Sequence, residues 1–441
     1  MQGLTFVLEL LVVLFCIVMG TRASGVSLGF WGGAGVAILV FGFREPIGDA
    51  PVDALLIVLA VVVTSSAMQA AGGIDWLVQV AAKVISKRPK QITLVAPLVA
   101  FIFSVGAGTS NILYPLLPVI TDLSYRNGVR PSRPLSLSVV ATGVALACSP
   151  VSAAMAMMIG LTEAAPFHFS LVDILKVTIP AAIVGIILTS IVVSRLGKNI
   201  ADDPEIQARI AAGAVPEASA DAMPVATKAG RNAAIIFLLG VVSIVAFGLF
   251  KNLRPLNADG SVLGMTPIIS IIMLVVGALI VLVSRPVVAE IPASSVFKAG
   301  MTSAIALLGL AWMTSTFLKA HSDFIANSVG GLVAGAPWIF ALGVFIVCVL
   351  TTSQSTATQT IVPIGLAAGM SPALLSGMWA GAFAGIYVLP TNGSQIAAAN
   401  FDYTGSTKLG SKLVDHSFFI PAVVLAVTTC AAGALFGLVL G

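Results

Sequence analysis

Charge is what this chain has least of. Of its 441 residues only 9% are Asp, Glu, Lys or Arg and three are His, where soluble domains carry about 25% charged residues. So few ionic groups cannot clothe a water-facing surface of this size, which excludes soluble enzymes and nucleic-acid binders. Cys16, Cys148, Cys348 and Cys430 stand alone in apolar stretches with no CxxC or Cys/His spacing. Neither a disulfide framework nor a zinc site is indicated, and all four read as packing residues. His168, His321 and His416 are far apart and near expected helix ends, where an interfacial or helix-terminal imidazole is the plain reading. No HExxH, nucleophile elbow or histidine accompanies the polar clusters described below, so neither an enzyme nor a resident cofactor is expected. The run from Met1 to Gly20 lacks a basic leader and is long enough to span, so it reads as a helix and not as a cleavable signal.

What is present is apolar: 58% of the residues are hydrophobic and the mean hydropathy is +1.07. Only helical bundles or closed barrels satisfy their backbone in lipid, and runs of about 20 apolar residues select the helix. The sequence therefore predicts an all-α polytopic membrane protein. Uninterrupted spans are expected near 3–20, 26–43, 52–72, 168–194, 231–250, 265–284, 297–318 and 414–440. Between them, 91–165 and 336–400 stay apolar but gather Gly, Pro, Ser and Thr in their middles. The two regions add to these spans for about ten crossings in all. The stretch from Leu196 to Arg231 reads as a polar linker between halves.

The two interrupted regions repeat one another. Asp75-Trp76-Leu77 answers Asp323-Phe324-Ile325, Pro118 answers Pro363, Gly128-Val129-Arg130-Pro131 answers Gly369-Met370-Ser371-Pro372, and Pro150 answers Pro390, all in the same order. Basic residues collect in short cytoplasmic loops. Lys83, Lys87, Arg88, Lys90, Arg126, Arg130 and Arg133 flank the first region, while the matching loops of the second have none. The copies are therefore expected upside down relative to each other, as inverted repeats. Because 91–124 begins and ends beside basic loops, it reads as a re-entrant hairpin with its tip near Gly108 to Asn111. By the repeat, 336–369 is a second hairpin from the opposite side, with its tip near Gln354 to Thr356. Threading the chain leaves only Arg44, Lys176, Lys251, Arg254 and Lys319 outside among the basic residues, with both termini outward.

Each hairpin precedes a helix expected to break, the first at Cys148-Ser149-Pro150-Val151-Ser152 and the second at Pro390-Thr391-Asn392-Gly393-Ser394. Proline frees a carbonyl that lipid cannot satisfy, so such breaks survive only against a protein-enclosed cavity. Hairpin tips and breaks bring helix starts toward the midplane, and a helix start offers unpaired N–H groups and partial positive charge. That is an anion site without lysine. Its expected side chains are Thr109, Ser110 and Asn111; Ser149 and Ser152; Gln354, Ser355, Thr356 and Thr358; and Thr391, Asn392 and Ser394. The competing reading is local: Ser and Thr often bond back to their own helix, and Asn joins helices. A small carboxylate would supply the charge, and freed carbonyls would suit a sodium ion.

The expected organisation has 1–72 as scaffold, the third span opening the first repeat, then 73–165 as the first hairpin and broken helix. A scaffold helix follows at 166–195, a cytoplasmic linker at 196–231 and scaffold helices at 232–320. The second hairpin and broken helix occupy 321–400, and a last scaffold helix 401–441. Hairpins and broken helices would form a transport domain moving on the scaffold, an elevator.

At these residues the chain resembles the anaerobic four-carbon dicarboxylate carriers, the Dcu family. The shared stretches include Ser66-Ala67-Met68-Gln69-Ala70-Ala71-Gly72-Gly73, Ala107-Gly108-Thr109-Ser110-Asn111-Ile112, Ser149-Pro150-Val151-Ser152-Ala153-Ala154, Asp202-Asp203-Pro204, Phe297-Lys298-Ala299-Gly300-Met301, Leu389-Pro390-Thr391 and Asp402 with Thr404-Gly405. The resemblance implies uptake, exchange or efflux of fumarate, succinate, malate or aspartate across a bacterial inner membrane, with Na+ or H+ as coupling ion. Gln359 stands where the family pattern has a basic residue, and Asn392 where it has a tyrosine. Asp402 and Lys408 read as an interfacial cap, and Asp75 and Asp323 as helix N-caps. A homodimer is suggested by analogy alone. The alternatives are a carrier of another small organic or inorganic anion, a channel, and a membrane sensor that binds its ligand without moving it.

Overall fold

The computed structural model describes every residue except 1, 24–25, 164–165, 214, 216–225, 259, 411–413 and 441; within helices, the side chains of 2–3, 21, 23, 251, 322–323 and 325–334 are also outside the description. Among the described residues there is no β-strand, only an isolated bridge between Leu256 and Val262. The helices follow in the order α1 (Gln2–Ala23), α2 (Ser27–Ala37, prolonged by one π turn), α3 (Val52–Ala70), α4 (Gly73–Ser86), α5 (Ile92–Ala107), α6 (Leu117–Arg126), α7 (Ser132–Ala145), α8 (Ala153–Thr162) and α9 (Leu171–Val193). After the short α10 (Pro204–Ala211) come α11 (Lys228–Leu249), α12 (Met265–Ser284), α13 (Ser295–Gly335), α14 (Trp338–Thr351), α15 (Gln354–Ala367), α16 (Pro372–Ala382), α17 (Gly393–Phe401) and α18 (Phe419–Leu440).

Eight described helical segments are long and apolar enough to cross a membrane. They are not the same eight that the apolar runs suggest. Pro89–Ala107 and the broken Ser132–Thr162 qualify, whereas the apolar parts of α1 and α2 are shorter. Burial separates the kinds of segment: 78% of the apolar window of Ser132–Thr162 is enclosed by protein against 28% for Met265–Ser284. An interrupted helix needs that enclosure, because its freed backbone groups have no partner in lipid.

Local chemistry accounts for each interruption. The helix α5 stops at Gly108, which adopts the left-handed conformation (φ +69°), and a 3-10 turn over Ser110–Leu116 leads into α6. This is the first expected tip. The second turn comes slightly earlier than expected: Thr352 (φ +50°) ends α14 and Ser353 caps α15, so Gln354 to Thr356 already belong to the returning helix. The first break runs between α7 and α8 through Ser149 to Ser152, and the second between α16 and α17 up to Asn392.

Two sets of helices pack largely among themselves and are joined where α13 packs on α15, α3 on α8, and α4 between α11 and α5. One holds α3, α11, α12 and α13, with α1 and α2 laid against α13 to make a smaller second core. The other holds α5, α7, the two hairpins, the broken helices, and also α9 and α18. Here the packing departs from the expected division, which puts α9 and α18 with the scaffold. The reason is small residues: a Cβ added at Gly377 of α16 would lie 2.1 Å from the Gly433 carbonyl of α18, and one at Gly185 of α9 would meet Thr429 of α18 at 2.0 Å. Close backbone approach of this kind is how helices associate without a hydrophobic driving force.

The linker is likewise less detached than its composition suggests. Within it, α10 docks on the loop after α17 through Lys408–Glu205 and Arg209 to the Tyr403 carbonyl, while Arg130 pairs with Asp203. Residues 214 and 216–225 of the linker, and Lys412, lie outside the described residues. Asp402 organises that loop, accepting from Thr404 N and Oγ1, Ser406 Oγ and Thr407 N. Gly72, not Asp75, is the N-cap of α4, and Asp75 sits in its first turn. The Asp323 backbone continues α13 beyond a non-helical residue at His321, while its side chain lies outside the description. All four cysteines are free, three of them buried and Cys430 half-buried.

Candidate functional site

A cavity of about 280 Å³ opens at the seam between the two groups of helices. One wall is α3 and the start of α13, contributing Ser65 and Ser303; the other is both hairpin tips and the first break. At this size, just below the roughly 300–1,000 Å³ of drug-sized ligand sites, it suits a small molecule. Among the described residues, no Asp, Glu, Lys, Arg or His lines it.

Side-chain hydroxyls and amides line it together with two helix starts. The Ser152 hydroxyl caps α8 by accepting from Met155 N at 3.0 Å, which leaves Ala153 and Ala154, the first two helical residues, in the cavity wall. Likewise Ser353 caps α15 by accepting from Thr356 N at 3.2 Å, and Gln354 and Ser355 face the cavity. The first N–H groups of a helix have no intrahelical acceptor. Two helix starts therefore present amides and partial positive charge to one small space. At the first tip the Thr109 hydroxyl accepts from Asn111 N at 3.1 Å. The Asn111 side chain makes no hydrogen bond to another described residue and remains available in the wall.

Of the twelve expected side chains, the cavity gathers Thr109, Ser110, Asn111, Ser152, Gln354 and Ser355. Ser149 is buried and accepts from Val151 N, while Thr356 bonds Ser353 Oγ and Thr358 receives the Trp379 indole N–H at 2.8 Å and donates to the Gln354 carbonyl. For these three the local reading holds. The second break is not part of this wall: Asn392 and Gln395 close a capping box, Ser394 donates to Asn392 Oδ1 at 2.8 Å, and Thr391 is exposed. That break lies behind Tyr114, whose hydroxyl would be 3.0 Å from a Cβ on Gly393. Ser65, Ser303, Thr352 and Ser353 line the cavity without having been singled out by sequence. For Thr352 and Ser353 the signal was there, in the repeat; for Ser65 and Ser303, on apolar helices far away in sequence, there was none.

Asn111 and Ala299 also border a second space of about 680 Å³, lined by Gln69, Asp75, Tyr114 and Ser295. It leads from the first toward the end of the bundle that carries the basic loops. Gln69 spans its rim, donating to Ser295 Oγ at 2.8 Å and accepting from Val296 N at 3.0 Å, so it ties the end of α3 to the start of α13. Burial pushes the Asp75 carboxyl above the usual carboxylate range. Gln359 is buried behind α8 with its amide nitrogen on the Met157 sulfur and Oε1 without a partner among the described residues.

Two histidines are engaged by other groups of the protein. His416 is buried against the Val388 carbonyl at 2.8 Å, and His321 meets Glu9 at 2.9 Å. Glu9 lies in a run that reads as uninterrupted apolar span, and its partner is 312 residues away, so no pattern along the chain joins them.

The family model described as "anaerobic c4-dicarboxylate membrane transporter" matches residues 5–441. The anaerobic C4-dicarboxylate transporter DcuB of Escherichia coli O6:H1 is 34% identical over 447 residues, covering 99% of each chain. The C4-dicarboxylate transporter DcuA of Wolinella succinogenes is 34% identical over 429 residues, covering 97% of this chain and 98% of its own. Among solved structures, the YdaH transporter of Alcanivorax borkumensis superposes with a TM-score of 0.63 at 15% identity, over 99% of this chain and 97% of that one. MtrF of Neisseria gonorrhoeae, described with a class of antimetabolite efflux pumps, gives 0.59 at 13%, over 92% and 85%.

Proposed function

The chain belongs to the anaerobic C4-dicarboxylate membrane transporter family, and on that premise we propose that the seam cavity binds a four-carbon dicarboxylate and that the protein carries it across a bacterial inner membrane. As a multi-pass membrane protein with transporters as relatives, it is a transporter; substrate, direction and mechanism are our reading. The observation that carries it is the pair of helix starts, at Ala153 and Gln354, lining one uncharged cavity. Charge-assisted hydrogen bonds at about 1.5–3 kcal/mol each are ample for the roughly 4–8 kcal/mol of millimolar to micromolar binding. Fumarate, succinate, malate and aspartate are the candidate substrates. Gln69, Asp75 and Tyr114 line the route by which substrate meets the cytoplasm.

Transport is of the elevator type in this reading. The cavity draws one wall from each helix group, so sliding one group along the other carries the ligand while α3 and α13 stay behind. With α9 and α18 packed on the broken helices, the moving body includes them. Both termini are periplasmic by the charge distribution, and a homodimer through the fixed group suits such a machine. The twelve clustered polar residues divide in this account into cavity groups and supports, with Thr391, Asn392 and Ser394 shaping the second break. Na+ or H+ drives the cycle.

Counterflow of labelled succinate in proteoliposomes, competed by a panel of short acids with and without sodium, tests the reading. Exchange by short dicarboxylates supports it; ligand binding without exchange returns the sensor, and exchange only of unrelated anions returns the alternative carrier.

A further inference from the structure

An ionisable group enclosed in an apolar helix bundle is costly and calls for a partner and a purpose. Glu9 is such a group: its side chain is fully buried, on a helix that is otherwise apolar around it. Its Oε2 lies 2.9 Å from His321 Nε2. His321 is the one residue inside α13 with non-helical angles (φ −122°, ψ 18°). The imidazole sits among Phe6, edge-on at 5.1 Å, and Phe317 at 4.9 Å.

A third titratable group faces this pair. The Glu45 carboxyl, in the segment after α2, acts on Glu9 electrostatically. Lys319 is engaged elsewhere, donating to the Ile47 carbonyl at 3.1 Å. No contact of Arg44 or Asp49 with the pair is found, and the side chain of Asp323 is outside the described residues. Glu9 and His321 are enclosed where α1 meets α13, and the half-buried Glu45 stands at the edge, in the 43–51 segment that packs on α13. With one proton between them the Glu9–His321 pair is neutral, and a second proton would make it cationic, with the Glu45 carboxyl as the nearby counter-charge.

The pair also touches the machinery. The small core built from α1, α2 and α13 around Phe317 includes Ala367, the last residue of α15 and hence the base of the second hairpin. By the charge-based orientation, the α1–α13 pocket and the base of that hairpin lie at the outward end.

We propose that Glu9, His321 and Glu45 form a proton-binding site whose occupancy sets how the base of the second hairpin packs on the α1–α13 group. It deepens the proposed transport reading, for which it supplies a proton as coupling ion. Among the described residues no Asp, Glu, Lys, Arg or His lines the substrate cavity, so the ion and the dicarboxylate bind in different places and are linked through α13 and α15.

The test uses purified full-length protein without substrate. Infrared difference spectra between about pH 5 and about pH 8, the window in which imidazoles and buried carboxyls titrate, are expected to show a carboxylic-acid band that is lost in Glu9→Gln. His321→Gln is expected to keep the band but shift its midpoint. In parallel, hydrogen exchange of peptides from α15, corrected for the chemical rate, is expected to differ between the two pH values by on the order of fivefold or more, the lower range of coupling between sites. Glu9→Gln, which mimics the protonated acid, is expected to hold α15 in its low-pH behaviour at both. A band unaffected by Glu9→Gln overturns the site, and α15 exchange indifferent to both pH and Glu9→Gln overturns its link to the hairpin. Neither readout involves transport, so failure of dicarboxylate counterflow would strike the transport reading and leave the proton site intact.

Discussion

Gly377 and Gly433 face each other so closely that a Cβ on the first would lie 2.1 Å from the carbonyl oxygen of the second, and one on the second 2.3 Å from that of the first. Both atoms approached are backbone, which cannot rotate away. Gly377→Ala is therefore expected to push α16 and α18 apart at a cost of about 1–3 kcal/mol, the range for overpacking. Thermal unfolding in detergent measures it, and an unchanged melting temperature would contradict the crossing.

Asn111 sits at the first hairpin tip and Asn392 caps the helix after the second break, and the two are expected to behave differently. Asn111→Ala removes an uncommitted amide from the cavity wall, so succinate exchange should fall at least about tenfold, the loss of roughly 1.4 kcal/mol, with folding intact. Asn392→Ala removes an N-cap and should cost about 1 kcal/mol of stability. If Asn392→Ala abolishes exchange without destabilising the protein, the second break belongs to the site.

Gly108 needs both its freedoms. Its φ is +69°, and a Cβ there would meet the Val151 carbonyl oxygen at 2.6 Å. Gly108→Ala costs about 1–2 kcal/mol for the left-handed conformation and also forces the first tip away from the first break. Exchange is expected to collapse while the protein still inserts, a result that counterflow and a membrane-fraction blot read together. Wild-type exchange in this variant would mean the tip does not build the cavity.

Acid should weaken one specific junction. Hydrogen bonding from the Arg130 guanidinium, followed by amide donors at Glu205 and Ile206, holds the Asp203 carboxyl below its usual value. A depressed carboxyl stabilises the fold fully above its unfolded value of about 3.9, and that contribution is lost as pH falls through the folded value. At about pH 7, Asp203→Asn should melt lower than the wild type, and the gap should shrink as the pH drops below about 4. A gap that persists in acid would assign the effect to packing.

Much of this architecture was legible because proline and glycine punctuate apolar sequence for few reasons. Pro150 and Pro390 mark both breaks, and Gly108 marks the first tip. The second tip was misplaced by a residue or two because Thr352, not a glycine, takes the left-handed turn. Half of the expected polar residues line the cavity. Others, such as Thr358 and Asn392, are spent on their own helices or neighbours, which residue type alone cannot distinguish. The packing of α9 on α18 rests on pairs like Gly185 and Thr429, and Glu9 with His321 on a contact across 312 residues. Such meetings are decided by the tertiary fold and leave no local pattern.

On the proposed reading, a grip that includes main-chain amides has an evolutionary consequence. Every residue but proline carries the same N–H, so positions 153, 154, 354 and 355 can drift in identity while a helix still begins at each place. What selection must protect is the geometry of two beginnings, guarded by Ser152 and Ser353. The vocabulary at the ligand is free to vary, and the grammar that starts each helix is not.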